Sequence, residues 1–195
     1  MGAHEKPNHF DDNRGLNYVH DSSWGIRPRP MGGFGIMCCN GLLAWSAKSL
    51  KIVPDSTCEA ETAVASRATK EGLFVRMLHR FHRRPLLGPT PAYGDNKPSY
   101  QMIQQEGASV RTRYYERATL LIKRAVLLLL VYPFLVPTDQ MAADIFTKAL
   151  PRDAFVKYRN YFMNVHSGIR KCIEDAMSSM AGESRRLACH LVSRM

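Results

Sequence analysis

Asn40-Gly41, set between the apolar runs 34–39 and 42–46, constrains this chain more tightly than any other short segment. Both residues tolerate the positive φ of a type I′ turn, so the pair predicts a two-residue hairpin. Residues 16–21 alternate apolar and polar side chains as a strand does, which gives three opening strands, antiparallel to one another. The stretch 25–33, G-I-R-P-R-P-M-G-G, reads as an irregular basic turn. Ser56 followed by Glu59 makes a capping box for a helix of about six turns. Ala60, Val64, Phe74, Met77, Leu78 and Phe81 sketch its apolar face, and Pro85 ends it. A strand over 91–95, a short helix over 99–105 and a long helix over 114–130 follow. The spacing then predicts a fifth strand over 132–136 and a helix capped by Thr138 that carries Asp144 and stops before Pro151. The expectation is an α/β fold, a mixed five-stranded sheet with helices packed on it. It divides into a loose segment 1–14, a domain over 15–165, and a basic, partly helical tail over 166–195.

Four acids fall at expected strand ends or helix starts: Asp21 in V-H-D-S-S-W, Glu61 in S-T-C-E-A-E, Asp95 in A-Y-G-D-N, and Asp144 in Q-M-A-A-D-I-F-T-K. Carboxylates gathered from distant segments serve hard divalent cations, and Mg²⁺ binds through a few of them plus substrate phosphates. The remainder of the chain is basic, with 27 Lys and Arg against 17 Asp and Glu and a net charge of +10. That excess favours a polyanionic partner, nucleic acid or an anionic membrane surface. The apolar run 125–136 has twelve residues, is interrupted by Pro133, and falls short of the roughly 20 that a bilayer span needs. It reads as a buried helix end passing into a buried strand, with no membrane required. The N-terminal residues lack the apolar stretch of a secretory signal. Five cysteines without a C-x-x-C pair argue against a disulfide framework or zinc knuckle and for reduced thiols in the cytoplasm or nucleus.

The motifs resemble the ribonuclease H domain that ends copia-type retrotransposon polyproteins. Its pattern D-A-D-W, S-W-S-S-K, S-S-T-E-A-E, D-N, A-D-I-F-T-K is met in order. The matching segments are Asp21-Ser22-Ser23-Trp24, Trp45-Ser46-Ala47-Lys48, Ser56-Thr57-Cys58-Glu59-Ala60-Glu61, Asp95-Asn96 and Ala143-Asp144-Ile145-Phe146-Thr147-Lys148. The resemblance, over roughly residues 15–165, implies a ribonuclease H-like fold and cleavage of the RNA strand of an RNA–DNA hybrid, leaving a 5′ phosphate. It implies that Asp21, Glu61, Asp95 and Asp144 are catalytic and hold two Mg²⁺ ions, with Mn²⁺ as the alternative. Asp21 would lie on the first strand and bridge both ions, Glu61 on the early turns of the long helix, Asp95 at the end of the fourth strand, and Asp144 on the last helix. Two cations about 3.5–4 Å apart can stabilise both the attacking and the leaving oxygen of an in-line displacement. Lys48, Asn96, Arg111 and Arg113 are expected to contact substrate, and the 2′-hydroxyl would identify the RNA strand. A reverse transcriptase or another polyprotein-derived domain is the expected protein partner.

Each acid also has an ordinary use. Asp21 and Asp95 suit turns, Glu59 or Glu61 a helix cap, and Asp144 a helix dipole. Arg76, Arg80, Arg83 and Arg84, with His79 and His82, form a basic helix end, suited to phosphate contact or to plain solvation. No cysteine or carboxylate close in sequence completes a zinc set with the two histidines. Tyr114 and Tyr115 suit base stacking or core packing. The chain departs from the family at Ser23, which replaces the second Asp of D-A-D-W, and at 111–117, where the histidine-bearing R-T-K-H-I-D-I-R-Y-H is absent. It also lacks the histidine that some cellular ribonucleases H carry before the last acid. No reverse transcriptase precedes the matched region, so the chain reads as a fragment of a mobile element. The rival expectations are a decayed relic that binds nucleic acid without cutting it, and a structural module with a protein partner.

Overall fold

The computed structural model describes residues 15–24, 29–39, 41–104 and 115–164. Five strands form one sheet in the order β3-β2-β1-β4-β5. They are β1 Asn17–Ser23, β2 Met31–Cys38, β3 Gly41–Ser49, β4 Thr90–Gly94 and β5 Val131–Leu135. β2 pairs antiparallel with both β1 and β3, while β1, β4 and β5 run parallel. Among the described residues four α-helices accompany them: α1 Thr57–Phe81, α2 Lys97–Gln104, α3 Glu116–Leu127 and α4 Arg152–Phe162. The expected mixed sheet with an antiparallel opening is therefore present. Among the described residues no helix is long and apolar enough to cross a membrane.

β1 lies at the centre of the sheet, covered on both faces, so five of its seven residues are buried in succession. Leu16 and Tyr18 face α1 and pack with Phe34, Ile36, Ala68 and Val75. Val19 faces the other way and packs with Met37, Met141, Ala143, Tyr158 and Phe162. The Tyr18 hydroxyl is fully buried and bonds Thr69 Oγ1 at 2.8 Å, and burial pushes that phenol well above its usual range.

Several expectations are corrected. β2 begins at Met31, so Gly32 and Gly33 belong to the sheet and not to a basic turn. Helix α1 starts as expected, with the Glu59 N–H donating to Ser56 Oγ at 3.1 Å. The returning bond of the capping box, however, comes to Glu59 Oε2 from the Asp55 N–H. The α1 residues that pack toward the sheet are Val64, Ala68, Thr69, Gly72 and Val75, while Ala65 packs with Ile103 of α2 and Ile122 of α3. Phe74, Met77, Leu78 and Phe81 are exposed, Phe81 by 79 %. Helix geometry explains this: at about 100° per residue these four share a face turned away from Val75, which is buried, and from His79, whose Nε2 reaches Cys38 Sγ of β2 at 3.7 Å. Arg76 is no surface phosphate contact either. Its guanidinium donates to the carbonyls of Gly88 and Leu86 and to Thr90 Oγ1, clamping the approach to β4.

The apolar run before β5 is only partly buried. Ala125 and Val131 are buried, whereas Leu127 is 81 % exposed and Leu128 and Leu129 are exposed as well. α3 ends there in a Schellman-type turn, with Leu130 N–H donating to Ala125 O and Leu129 N–H to Val126 O. Leu129 takes φ +53°, a conformation that usually falls to glycine, and the turn carries the leucines outward. The expected helix over Asp144 is instead two 3-10 turns, Thr138–Gln140 and Ala142–Phe146, separated by extended Met141.

Gly33 positions that second turn. A Cβ there would collide with Phe146 Cβ and stand 3.0 Å from Thr147 Cγ2, so only glycine lets the turn rest directly on β2. Overpacking of this kind costs about 1–3 kcal/mol. Gly33→Ala is expected to lower the unfolding free energy by about that amount in chemical denaturation. Gly41, expected in the hairpin turn at positive φ, instead pairs with Cys38 as the first residue of β3 and has no positive φ; Gly41→Ala, where an added Cβ meets nothing nearer than 3.8 Å, should change the unfolding free energy by less than about 0.5 kcal/mol.

Candidate metal centre and basic groove

Parallel pairing of β1 with β4 sets their C-terminal ends side by side, which brings Asp21 and Asp95 together. Asp21 is 1 % exposed and lies opposite Gly33 in the sheet. Glu61 projects from the second turn of α1, 4 % exposed. The Ser22 backbone N–H and hydroxyl both donate to Glu61 Oε1, at 2.9 and 2.8 Å. Asp95 follows the last residue of β4. One carboxylate oxygen from each of Asp21, Glu61 and Asp95 lies within 4.8 Å of the other two. Among the described residues this is the one group of three or more His, Cys, Asp or Glu placed to hold a metal ion.

Asp144 joins by a different contact. Its Oδ1 accepts from Lys148 Nζ at 2.7 Å, and the same ammonium lies 3.5 Å from Asp21 Oδ2. The Thr147 hydroxyl donates to Asp21 Oδ2 as well. Burial raises the Asp144 carboxyl above its ordinary range; the Lys148 bond opposes this, and the charges of Asp21 and Asp95 add to it. Burial pulls the Lys148 ammonium the other way, but its bond to Asp144 and the nearby Asp21 and Asp95 charges hold it above its usual value. The four acids thus meet at one end of the sheet, three as a cluster and the fourth through a lysine.

The donor set fits a hard cation. Glu61 Oε2 is buried and has no hydrogen-bond partner, and His20 Nδ1, itself without one, lies 3.8 Å from it. A buried carboxylate oxygen left bare is costly unless something positive meets it. The His20 ring lies over Gly94, where a Cβ would come within 2.6 Å of the ring.

The expected substrate residues separate. Lys48 is exposed on β3 and lines a groove of about 730 Å³ with Lys51, Arg67, Lys70, Tyr115 and Arg117. The acids of that groove are Glu59 and Glu116. Asn96 accepts the Ser99 N–H with its side-chain oxygen at 2.8 Å, and so caps α2. Arg111, Arg113 and Tyr114 lie outside the described residues. The Tyr115 hydroxyl points to Cys58 Sγ at 4.0 Å, and burial pushes it up to about 12. Arg80, Arg83 and Arg84 are exposed, but they sit about 30 Å along α1 from Glu61. A cysteine is near the histidines after all: Cys38 Sγ from β2 lies 3.7 Å from His79 Nε2.

Sequence reasoning missed Ser22, Thr147 and Lys148 as partners of the acids, and Arg67 and Lys70 as groove residues. Thr147 and Lys148 stand in the A-D-I-F-T-K motif, and their spacing from Asp144 was the available signal. If the cluster holds a cation, saturating Mn²⁺ or Mg²⁺ should raise the melting temperature, by about 2.7 kcal/mol of stabilisation at a hundredfold excess over Kd. Glu61→Gln should abolish that shift in the same melt, and an equal shift in this variant would place the ion elsewhere.

No family model matches the chain. Solved structures do. Ribonuclease H1 from the halophilic archaeon Halobacterium salinarum superposes with a TM-score of 0.51 at 11 % identity, covering 73 % of this chain and 97 % of its own. The N-terminal ribonuclease H domain of a Mycobacterium tuberculosis protein, solved fused to maltose-binding protein, gives 0.51 at 11 %, with 74 % and 96 % covered. LC11-RNase H1, solved in complex with an RNA/DNA hybrid, gives 0.50 at 15 %, with 68 % and 93 % covered. At such low identity the likeness is one of architecture, and the chain has the ribonuclease H-like fold.

Proposed function

We propose that this chain is a copia-type retrotransposon ribonuclease H that cleaves the RNA strand of RNA–DNA hybrids with divalent metal, Mg²⁺ by preference. The observation that carries the proposal is the convergence of Asp21, Glu61 and Asp95, with a buried, unpartnered Glu61 oxygen, at one end of a ribonuclease H-like sheet. The five motifs in family order support the retrotransposon assignment, and the hybrid bound to LC11-RNase H1 supports the substrate. Asp21, Glu61 and Asp95 would hold the ion, with Asp144 at the edge of the site. When bound, a divalent cation supplies Lewis acidity and activates water near neutral pH. The chain's own groups do the positioning. Ser22 fixes one Glu61 oxygen and leaves the other for the ion, and Thr147 fixes Asp21 from the side away from α1. Lys48, Arg67 and Lys70 offer charge to the phosphate backbone along the groove.

The decisive assay is hybrid cleavage with Mg²⁺. Wild type should cut the RNA strand only, and Asp21→Asn and Asp144→Asn should each lose at least about a hundredfold, since even outer partners of metal ligands cost 10–100-fold. Cleavage that survives both substitutions would refute the assigned site. Hybrid binding with no cleavage by wild type would make the chain a relic.

Groove contacts to phosphate carry no sequence information. Lys48→Ala and Arg67→Ala should therefore weaken hybrid binding equally across sequences, and each should reduce the slope of log affinity against log salt by about 1. Fluorescence anisotropy over a salt series measures this, and an unchanged slope would remove the groove from the binding surface.

A further inference from the structure

The four acids are not equivalent. Glu61 Oε2 is buried and bare, and with Asp21 and Asp95 it offers oxygens within 4.8 Å of one another. Asp144 is outside that group, and its Oδ1 is already met by the Lys148 ammonium at 2.7 Å, a short charge-assisted contact. The same ammonium reaches Asp21 Oδ2 at 3.5 Å, so it sits between Asp21 and Asp144, with its side chain two-thirds covered. A lysine ammonium is a compact point charge and suits a cation position better than a planar guanidinium does.

The backbone holds it there. Lys148 N–H donates to Asp144 O at 2.9 Å, and the Thr147 hydroxyl beside it is bonded to Asp21. The turn that leads into both residues rests on β2 through the close approach at Gly33. One half of the acid set is thus open to an ion, and the other half already contains a positive charge belonging to the chain.

We propose that Lys148 is a resident cation in the second metal position, so that the protein takes one divalent ion, on Asp21, Glu61 and Asp95, where the family resemblance implies two. The inference rests on the metal-site reading above and concerns only the number of ions. Lys148 acts as a positioning residue: it holds Asp144 against Asp21 and excludes a second ion from between them.

The test counts ions on the full chain without substrate, by the free Mn²⁺ electron paramagnetic resonance signal at neutral pH. Wild type is expected to bind one Mn²⁺ and Lys148→Met two; Lys148→Gln repeats the comparison with a polar side chain should the methionine variant fold poorly. Glu61→Gln is expected to lose the single ion. Two ions on wild type, or one ion on both Lys148 variants, would overturn the proposal and leave the metal-site reading standing. No ion on wild type would sink the metal site itself.

Discussion

Like charges have to be held together in this fold before any cation arrives, and that constraint orders everything around them. Buried carboxylates a few ångströms apart repel, and burial alone already disfavours their charged forms. The chain meets this with donors placed one by one. Ser22 gives two hydrogen bonds to Glu61, Thr147 gives one to Asp21, and Lys148 neutralises Asp144. Among the described residues, Glu61 Oε2 is the buried carboxylate oxygen left without a hydrogen-bond partner. The closeness of Glu61 to Asp21 and Asp95 turns a destabilising arrangement into an attractive one for a hard cation.

Those donors depend on the sheet. Because β1 is central, its two neighbours come from different distances along the chain: β2 follows it immediately, and β4 follows α1. Parallel pairing delivers Asp95 to the Asp21 end, and antiparallel pairing delivers Gly33 opposite Asp21. A side chain at Gly33 would lift the turn holding Asp144, Thr147 and Lys148 off the sheet. Trp45 on the edge strand stacks on Phe146 with planes 9° apart, so the turn is also gripped from above. The acid site is in this sense built by small residues as much as by charged ones.

Much of this was legible in the residues. The Ser56 start of α1 and the order of five strands follow from local rules, and local rules hold where backbone chemistry decides; the Asn40-Gly41 pair signalled the β2–β3 reversal but not its residues, because Gly41 already pairs with Cys38. The convergence of the acids was legible only through motif order, because nothing in local spacing says that Asp21 and Asp95 share an end. What failed did so where packing partners decide. Phe74, Met77, Leu78 and Phe81 have helical periodicity, yet periodicity does not say which face meets the sheet, and here Val75 between them does. The leucines after α3 look like core by composition, but a tight chain reversal at Leu129 turns them outward. Gly32 and Gly33 look like turn residues because glycine in a strand marks close approach only once the approaching segment is known. Arg76 looked free because its acceptors are carbonyls, which no side-chain pattern reveals.

Charge partition joins the acid site to the rest of the molecule. Four bare carboxylates would repel a phosphate backbone over the roughly 8–10 Å that salt leaves unscreened. Lys148 cancels one of them locally, and Lys48 on β3 lines the groove with Arg67 and Lys70, which lie within two or three turns of Glu61 on α1. The exposed arginines at the far end of α1, about 30 Å away, are beyond that screening distance and cannot soften the repulsion at the acids. Net charge alone would not have distinguished the two basic regions. Distance does: Arg67 and Lys70 lie six and nine residues from Glu61 along α1, the exposed arginines nineteen or more.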